Sequence, residues 1–538
     1  MTAAPLLPLM PSGALPPVAA LLRWLEDLRT DWVDTVLATQ LPPLNGGLPD
    51  VLRLGSITTL LLGEQPAPCF RWEGLGGNRV TVAELPPTAD DLIEAFHHGD
   101  LPAPAPVVAD ESGLYGLLEL ARLEDASSCL GMGDGASWHQ VLAALDRTRT
   151  RTPRLPPLVT RNAAGAGFGA WNPLPFARQT LVALPAETKP WALSDHLGRL
   201  APAQIAGDQV LVSLPLQALE AVHLEAHDEP VPDAAWEVSP TVLDNGIVRG
   251  EFDALGQLTR LCWNGIFAEL AGPAVAPRCD GRPVGGTAAV TVEESGPVRG
   301  RLLVVRTTPH GVLRITYTLH AHEDGLRIDI AWDGAGTLTI EHPTAHRGSL
   351  LHVAGELCRS TIPQARSLTH PAGSVMGGVR WATLGDAAGR GVALIGQRPL
   401  LLSSEGGMLR IHGAASYALH AARRSADELN LGQLALALAV DGRSTALEAP
   451  VAAPFRLASL DGLVPLWARR PTDWAGEVIF ADQAEARGKA WLYPTTPVRE
   501  AWRVDAAGNP LTQVKLTREG DGLELEHLPG EVFIVRWR

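Results

Sequence analysis

A stretch with two tight turns, residues 241–263 (TVLDNGIVRGEFDALGQLTRLCW), most constrains the fold of this chain. The pair Asn245-Gly246 tolerates positive φ at both central positions of a two-residue hairpin turn. The segment 253–256 (DALG) predicts a second turn, with glycine at the left-handed position. Between the turns, apolar and polar residues alternate with the period of a half-buried strand. We therefore predict three antiparallel strands here, with a change of fold class just ahead of them.

Strand patterns continue through the rest of the chain. The clearest is a hairpin over 312–333, where apolar and polar residues alternate on both arms of a Glu-Asp-Gly turn. One apolar face and one polar face are typical of an antiparallel sheet that is packed on one side only. No repeat of about 20–50 residues indicates a propeller or a solenoid. We therefore predict large antiparallel β-sandwich domains in this half of the chain.

The first half of the chain alternates between helix and strand patterns. Apolar residues recur at helical spacing from Val18 to Val36, which predicts a helix over that range. Such alternation is typical of an α/β unit, although the strands are too few for an eight-stranded barrel. We predict a partial, barrel-derived α/β domain over 1–152 and a proline-containing linker over 153–170. Strand patterns lie at 57–62, 70–72 and 80–82.

Charge, cysteine content and the N-terminus exclude several classes of partner. The formal net charge is −15 and the one basic run is 147–154, so we expect no nucleic-acid partner. That run is typical of a solvated helix end, with an anion site as the alternative. Five widely spaced cysteines contain no C-x-x-C pair, which argues against a disulfide framework and a cysteine zinc site. The apolar N-terminus lacks a positively charged region and is interrupted by prolines, so we expect no signal peptide, no membrane partner and a cytoplasmic location.

A series of motifs follows one order along the chain. They are LPDVL (48–52), FRWEGLGGNRV (70–80), GMGDG (131–135), WNPLPFAR (171–178), a segment ending in Ala203-Gln204, LDNGIVR (243–249), DALGQLT (253–259), ESGPVRGRL (294–302) and segments of 380–394. Together they resemble glycoside hydrolase family 38, the α-mannosidases. The resemblance implies a small β-sandwich domain over 171–236 and a large β-sandwich region over 237–538. It also implies hydrolysis of terminal α-mannosides, and hence a carbohydrate ligand and a role in mannose metabolism.

The residues that carry catalysis in that family are missing at the matching positions. The resemblance implies an aspartate nucleophile, a second carboxylate, and zinc held by an H-x-D motif, the nucleophile and a later histidine-aspartate pair. Retaining hydrolysis needs two carboxyls about 5 Å apart. Where the nucleophile belongs, the chain reads ATQLPPL from Ala38 to Leu44, with Gln40 but no aspartate. We find no H-x-D strand and no set of metal ligands, so we predict a shortened catalytic domain without a bound cofactor.

Four residues form the candidate site. Asp134 lies in the glycine-rich loop 131–135, which the resemblance places at the active site, and we predict that it is catalytic, at best as a general acid. A turn or helix cap is the alternative for a glycine-flanked aspartate. Trp72, Glu73 and Asn78 lie in the segment that resembles the family's F-x-W-x-G-x-D-G-S motif, and we predict that they bind substrate. Core packing is the alternative for a strand tryptophan such as Trp72.

We therefore expect an α-mannosidase-family protein with little or no hydrolytic activity. Two alternatives remain open: a carbohydrate-binding pseudoenzyme, and one part of a split glycosidase whose missing strands come from another chain. Trp24, Leu25 and Leu28 would form an apolar patch on the predicted first helix. Because such a patch is unfavourable in water, we expect the β-domain, a second copy or a partner chain to cover it.

Overall fold

In the residues that it describes, the computed structural model is mostly β-strand. Within the residues that it describes, helical backbone is confined to 52–53, 428–429 and 432. The described residues are 9–10, 35–38, 52–53, 57–62, 70–73, 79–84, 159–161, 167–172, 177–185, 192–195, 198–207, 209–218, 220–227, 236–346, 350–354, 359–363, 375–386, 390–422, 428–429, 432, 455–459, 462–469, 473–482, 487–505, 508–529 and 531–538.

The N-terminal sheet has five short strands. They are β1 (Leu9–Met10), β2 (Thr35–Ala38), β3 (Thr59–Leu62), β4 (Phe70–Glu73) and β5 (Arg79–Glu84). The strand order is β1-β2-β3-β5-β4. Strands β1, β2, β3 and β5 pair in parallel, whereas β4 runs antiparallel to β5. Parallel pairing requires long connections between the strands, as in α/β proteins, which confirms the predicted fold class for this region.

The helix predicted from Val18 to Val36 is wrong at its C-terminal end, because Thr35–Ala38 is strand β2. Thr35 and Val36 are β-branched and favour extended backbone, and β1 and β3 supply a ladder on both sides. Strand β1 was not predicted, since two residues are too few to show a period. The predicted apolar patch at Trp24 lies outside the described residues.

The second sheet has seven strands, in the order β6-β7-β12-β9-β10-β11-β8. They are β6 (Val159–Arg161), β7 (Gly167–Trp171), β8 (Arg178–Pro185), β9 (Ala192–Asp195), β10 (Leu200–Ala206), β11 (Gln209–Leu216) and β12 (Ala221–His227). The first half of β10 pairs with β9 and its second half pairs with β11, so β10 belongs to two antiparallel ladders. The ladders enclose an apolar core that includes Leu193, Val210, Val212, Leu214, Val222 and Leu224.

The stretch 241–263 lies in the third sheet, whose five antiparallel strands follow chain order. They are β13 (Glu237–Ser239), β14 (Val242–Asp244), β15 (Val248–Phe252), β16 (Leu258–Trp263) and β17 (Ile266–Phe267). Strands β14, β15 and β16 confirm the three predicted strands. On β15, Val248, Gly250 and Phe252 are buried, as the alternating pattern predicts.

The turns of this sheet differ in one respect from the prediction. Gly256 has a φ of 69° and Gly246 a φ of 81°, but Asn245 does not have a positive φ. Two consecutive positive φ values occur instead at Asn264 and Gly265, 46° and 82°, between β16 and β17. Asn245 is used for its side chain rather than for its tolerance of left-handed backbone, as described below.

The fourth sheet has thirteen strands, with the main path β19-β18-β24-β29-β28-β30-β23-β22-β21-β20. They are β18 (Ala276–Cys279), β19 (Arg282–Pro283), β20 (Thr287–Ser295), β21 (Arg299–Thr308), β22 (Gly311–His320), β23 (Leu326–Gly334), β24 (Leu338–Pro343), β25 (Leu350–Ala354), β26 (Arg359–Pro363), β27 (Val375–Gly385), β28 (Arg390–Glu405), β29 (Met408–His412) and β30 (Ala415–Ala422). Strands β22 and β23 confirm the predicted hairpin over 312–333, and Leu313, Ile315 and Tyr317 on it are fully buried. The 16-residue β28 pairs with β27, β29 and β30 and so joins the halves of the sheet.

Two further sheets form the C-terminal region. Their strands are β31 (Phe455–Ser459), β32 (Leu463–Arg469), β33 (Gly476–Asp482), β34 (Gly488–Pro494), β35 (Ala501–Val504), β36 (Pro510–Gln513), β37 (Lys515–Leu516), β38 (Leu523–His527) and β39 (Val532–Trp537). One sheet has the order β31-β34-β38-β37 and the other β32-β33-β39-β35-β36. Phe455 of the first sheet lies 6.4 Å from Phe480 and 6.1 Å from Trp537 of the second, measured between ring centroids. These buried rings pack the two sheets into a sandwich.

The chain forms two compact units. One contains Met1–Pro156, Ala354–Arg359 and Ala449–Arg538, and the other contains Pro157–Val353 and Ser360–Glu448. The domain boundaries inferred from the sequence stay a prediction. No helix among the described residues is both long enough and apolar enough to cross a bilayer.

Candidate functional site

Two of the four predicted site residues lie on a described strand. Trp72 and Glu73 belong to β4, at the edge of the N-terminal sheet. Asn78 and Asp134 lie outside the described residues. The substrate-binding and catalytic roles given to these four residues stay predictions.

The pairing of β4 with β5 separates Trp72 from Glu73. Trp72 is the register partner of Val80, and Glu73 is the register partner of Arg79. Successive residues of a strand belong to opposite faces of its sheet, whereas register partners share a face. Trp72 therefore shares the face of Val80, which is fully buried, and Glu73 belongs to the other face. The two residues cannot line the same face of this sheet.

The parallel strands end together at one edge of the sheet. Met10 of β1 pairs with Ala38 of β2, Ala38 pairs with Leu62 of β3, and Leu62 pairs with Glu84 of β5. We call this register row, Met10-Ala38-Leu62-Glu84, the strand-end row. In α/β sheets, ligands bind beyond the carboxyl ends of the strands. The strand-end row therefore marks the position at which a ligand of this domain is expected.

The strand-end row and the sequence after it are poor in acids. Glu84 is the one ionisable residue of the row. From Thr35, where β2 begins, to Pro49 the sequence contains neither aspartate nor glutamate. An ionised carboxylate that attacks and a protonated carboxyl that donates are both needed for retaining glycoside hydrolysis. The segment that follows β2 supplies neither of them.

The strand-end row does not fit zinc. Protein zinc sites use cysteine, histidine and carboxylate groups. Met10, Ala38 and Leu62 carry none of these groups, and Glu84 would supply a single ligand. Throughout the part of the chain that the structure describes, no group of three or more such residues is arranged to hold a metal ion. No catalytic step is therefore assigned to zinc.

A buried amide connects the turn after β14 to the turn after β22. Asn245 is 5% exposed, and its side chain fills its two donor and two acceptor positions. Its Nδ2 donates to the carbonyls of His320, at 2.8 Å, and Glu323, at 2.9 Å. Its Oδ1 accepts from the backbone N–H groups of Ile247, at 3.0 Å, and Val248, at 2.7 Å. Because every position is used, Asn245 has a structural role.

An acid–histidine cluster occupies the turn between β22 and β23. Glu323 accepts two hydrogen bonds from Arg327, and its Oε2 lies 3.0 Å from Nδ1 of His320. Burial lowers the pKa of His320. Burial alone would raise the pKa of Glu323, but Arg327 and His320 outweigh it and hold that pKa well below its usual range. Since His320 is only 2% exposed and Glu323 is paired with Arg327, we assign this cluster a role in stabilising the turn.

Gln204 of β10 connects the seven-stranded sheet to the start of β21. Its Oε1 accepts from the backbone N–H groups of Val298, at 3.0 Å, and Arg299, at 2.6 Å. Its Nε2 donates to the carbonyl of Arg299, at 2.9 Å, and lies 3.3 Å from Oε2 of Glu294. A Cβ atom at Gly296 would lie 2.3 Å from Cδ of Gln204, so a larger residue there would displace the Gln204 side chain from its hydrogen bonds.

These contacts assign a structural role to two motifs that carry the family resemblance. The segment that ends in Ala203-Gln204 contacts the segment 294–302, and both motifs are used to join sheets. The sequence shows the two motifs in order but not that they meet, because the contact joins distant parts of the chain. The close approach of the buried Gln204 to Gly296 is seen only in the structure.

Comparisons with known proteins agree with this architecture. No protein-family model and no curated protein matches the sequence. Among solved structures, an alpha-mannosidase from Enterococcus faecalis V583 aligns with 98% of this chain and 90% of its own, at 11% identity and a TM-score of 0.66. A protein in glycosyl hydrolase family 38 from Enterococcus faecalis aligns over the same shares, at 10% identity and a TM-score of 0.63.

The sheets define a class of protein in which a parallel α/β sheet is followed by antiparallel β-sandwiches. Within that class, the chain has the fold of the family 38 α-mannosidases. The resemblance seen in the motifs is thereby confirmed at the level of the fold, over nearly the whole chain.

Proposed function

We propose that this protein binds α-mannosides at the carboxyl ends of the parallel strands in its N-terminal sheet and does not hydrolyse them. The strand-end row is the observation that supports this proposal. Four parallel strands end in register there, as in α/β sheets that bind ligands, in a chain with the α-mannosidase fold. The fold supports α-mannosides as the class of ligand, and the ends of the parallel strands support the position of the binding site.

We infer the lack of hydrolysis from the absence of acidic residues in and after β2. The attacking group of a retaining glycosidase must be an ionised carboxylate, and the amide of Gln40 cannot replace it. No acid occurs between Thr35 and Pro49, the segment that contains β2 and the residues after it. Asp134 retains its predicted role as a general acid, but a general acid without a nucleophile does not complete the reaction. The split-glycosidase alternative stays a prediction.

Turnover of an activated aryl α-mannoside, with and without added zinc, tests the catalytic half of the proposal. Such a leaving group needs little protonation, so a surviving nucleophile would be detected even without its acid partner. We expect no turnover above the buffer rate under either condition. Zinc-dependent turnover that Asp134→Asn abolishes would contradict the proposal and would place an active site around Asp134.

Calorimetric titration of the full chain with methyl α-mannoside, with methyl α-glucoside as the control, tests the binding half. We expect saturable binding of the mannoside and weaker binding of the glucoside. Equal heats for the two sugars, or no heat for either, would contradict binding of α-mannosides.

A further inference from the structure

We propose that β20, the edge strand of the thirteen-stranded sheet, pairs antiparallel with β20 of a second copy of this chain. A two-fold axis relates the two strands, so that one continuous sheet passes through both copies. This inference goes beyond the proposed function, because it concerns the association of the protein with itself and not its ligand.

The open edge of β20 is the first argument. Strand β20 (Thr287–Ser295) lies at one end of the main path of the sheet and pairs with β21 alone. Among the described residues, no backbone group of 287–295 makes a hydrogen bond outside that pairing. The row of N–H and C=O groups on the outer side of such a strand is a template for another strand.

The two ends of the main path differ in their protection, which is the second argument. The other end is β19, which is two residues long and contains Pro283. Short edge strands and proline are devices that prevent pairing with another chain. Strand β20 has nine residues without proline or lysine, and its register shift lies near its end, between Val292 and Glu294. The uncharged segment 287–292 (TAAVTV) therefore offers a regular edge for pairing.

The core face of β20 is the third argument. Val290 and Val292 are the register partners of Val304 and Leu302, which are both buried. Register partners share a face, so the two valines of β20 belong to the core face of the sheet. They are nevertheless only half-buried, because the sheet ends with them. A second copy of β20 would cover these valines, and burial of apolar surface favours association.

The sequence of β20 is complementary to itself, which identifies the partner as a second copy. A two-fold axis in an antiparallel pair passes through a residue that lies opposite its own counterpart, here Ala289 or Val290. In both registers, the core-face residues of one copy lie beside those of the other. The acidic residues Glu293 and Glu294 then lie opposite the uncharged segment 284–287 (VGGT) of the other copy. No like charges meet across the axis.

Ala331 provides a matched control for Ala289. The register runs from Ala289 to Val305, Arg314 and Ala331, so the two alanines lie in one row and on one face of the sheet. Both alanines are exposed, but Ala331 belongs to β23, in the interior of the sheet. Ala289→Lys and Ala331→Lys therefore add the same charge to the same face, and only the first adds it at the open edge.

The experiment is sedimentation velocity of the full chain and these two variants, at concentrations between about 1 and 100 μM. We expect an equilibrium between monomer and dimer for the unmodified chain. In either register, Ala289→Lys places two positive charges at or beside the axis, so we expect it to weaken the dimer at least about tenfold. We expect Ala331→Lys to stay within about twofold of the unmodified chain.

A charge-reversed variant tests the two-fold arrangement itself. Ala289→Glu alone should weaken the dimer as Ala289→Lys does, because like charges meet again. An equimolar mixture of the two variants places opposite charges at the axis and should restore the dimer. The proposal is overturned if the unmodified chain stays monomeric, if Ala289→Lys dimerises as well as the unmodified chain, or if the mixture stays monomeric.

Hydrogen exchange of the unmodified chain gives a test that depends on no variant. Pairing protects the outward N–H groups of β20, so we expect segment 287–292 to exchange several-fold more slowly at about 100 μM than at about 1 μM. The interior strand β23 should exchange at the same rate at both concentrations. Equal exchange of 287–292 at the two concentrations would overturn the proposal.

Discussion

The N-terminal sheet and the thirteen-stranded sheet use polar residues in opposite ways. In and around the large sheet, buried polar side chains such as Asn245 and Gln204 are saturated by backbone groups of the protein itself. In the N-terminal sheet, the strand-end row contains one ionisable residue, Glu84, beside the apolar residues Met10, Ala38 and Leu62. The polar groups around the thirteen-stranded sheet hold the fold together, whereas the proposed ligand position in the N-terminal sheet is poor in polar groups. The contacts of Asn245 and Gln204 therefore explain how the fold is held, whereas the proposed binding of a sugar rests on the strand-end row.

Replacing Asn245 gives the largest expected effect. Asn245→Ala leaves two buried carbonyls and two N–H groups without their partner, and we expect the free energy of unfolding to fall by about 3–5 kcal/mol. Urea unfolding measures it. Asn509→Ala is the control, because Asn509 is exposed and its side chain bonds to the surface residue Asp505; it should change stability by less than about 1 kcal/mol. Equal effects of the two substitutions would mean that Asn245 does not connect the two turns.

Removing the side chain of Gln204 should weaken the attachment of the seven-stranded sheet to β21. Gln204→Ala removes its bonds to Val298 and Arg299, and we expect a loss of about 2–4 kcal/mol together with faster proteolysis within 159–227. The exposed Gln217, in the connection after β11, is the matched control, and Gln217→Ala should change neither quantity. Unchanged proteolysis of Gln204→Ala would show that other contacts suffice to hold the sheet.

Acid should destabilise the large sheet through buried histidine. Burial lowers the pKa of His342 to about 3, while an unfolded histidine titrates near 6.5. Below about pH 6.5 the unfolded chain therefore takes up a proton that the folded chain refuses, and stability falls by roughly 1 kcal/mol per pH unit down to about pH 3. We expect His342→Gln to reduce this slope between about pH 6 and 4. The exposed His310→Gln is the control and should leave it unchanged, whereas a slope that His342→Gln does not alter would contradict the assignment.

The smallest effect is expected at the surface of the third sheet. Arg249 makes ion pairs with Glu237, Asp244 and Glu251, which raise its pKa, but its side chain is 37% exposed. Exposed pairs are screened by water and salt, so Arg249→Ala should lower the free energy of unfolding by less than about 1 kcal/mol. Roughly 1 M salt should shrink that difference further. A loss above about 2 kcal/mol that resists salt would show that a surface network can equal the buried amides.

Sequence patterns predicted the antiparallel strands well, because an alternating pattern such as that of Leu313 to Trp332 has one explanation. They failed for β2, where Thr35 and Val36 satisfied the end of a helical period as well as a short strand. The structure separates Trp72 from Glu73, since the pattern shows that a strand is present but not which residues face its core. The sequence does not show that Glu84 ends the strand-end row, because that position depends on the ends of three other strands. Register between distant segments is a property of the fold, and no local pattern contains it.

The order of the strands in the thirteen-stranded sheet delays completion of that sheet during synthesis. Strand β24 ends at Pro343, but it joins β23 only through β29, β28 and β30, and β30 ends at Ala422. At about 5–20 residues per second, a ribosome needs on the order of 4 to 16 seconds to make that interval. Throughout that time, the nascent chain exposes the open edges of β23 and β24, and open edges recruit other strands. We therefore expect these edges to need protection while the chain is being made, and a fragment that ends before β28 should aggregate.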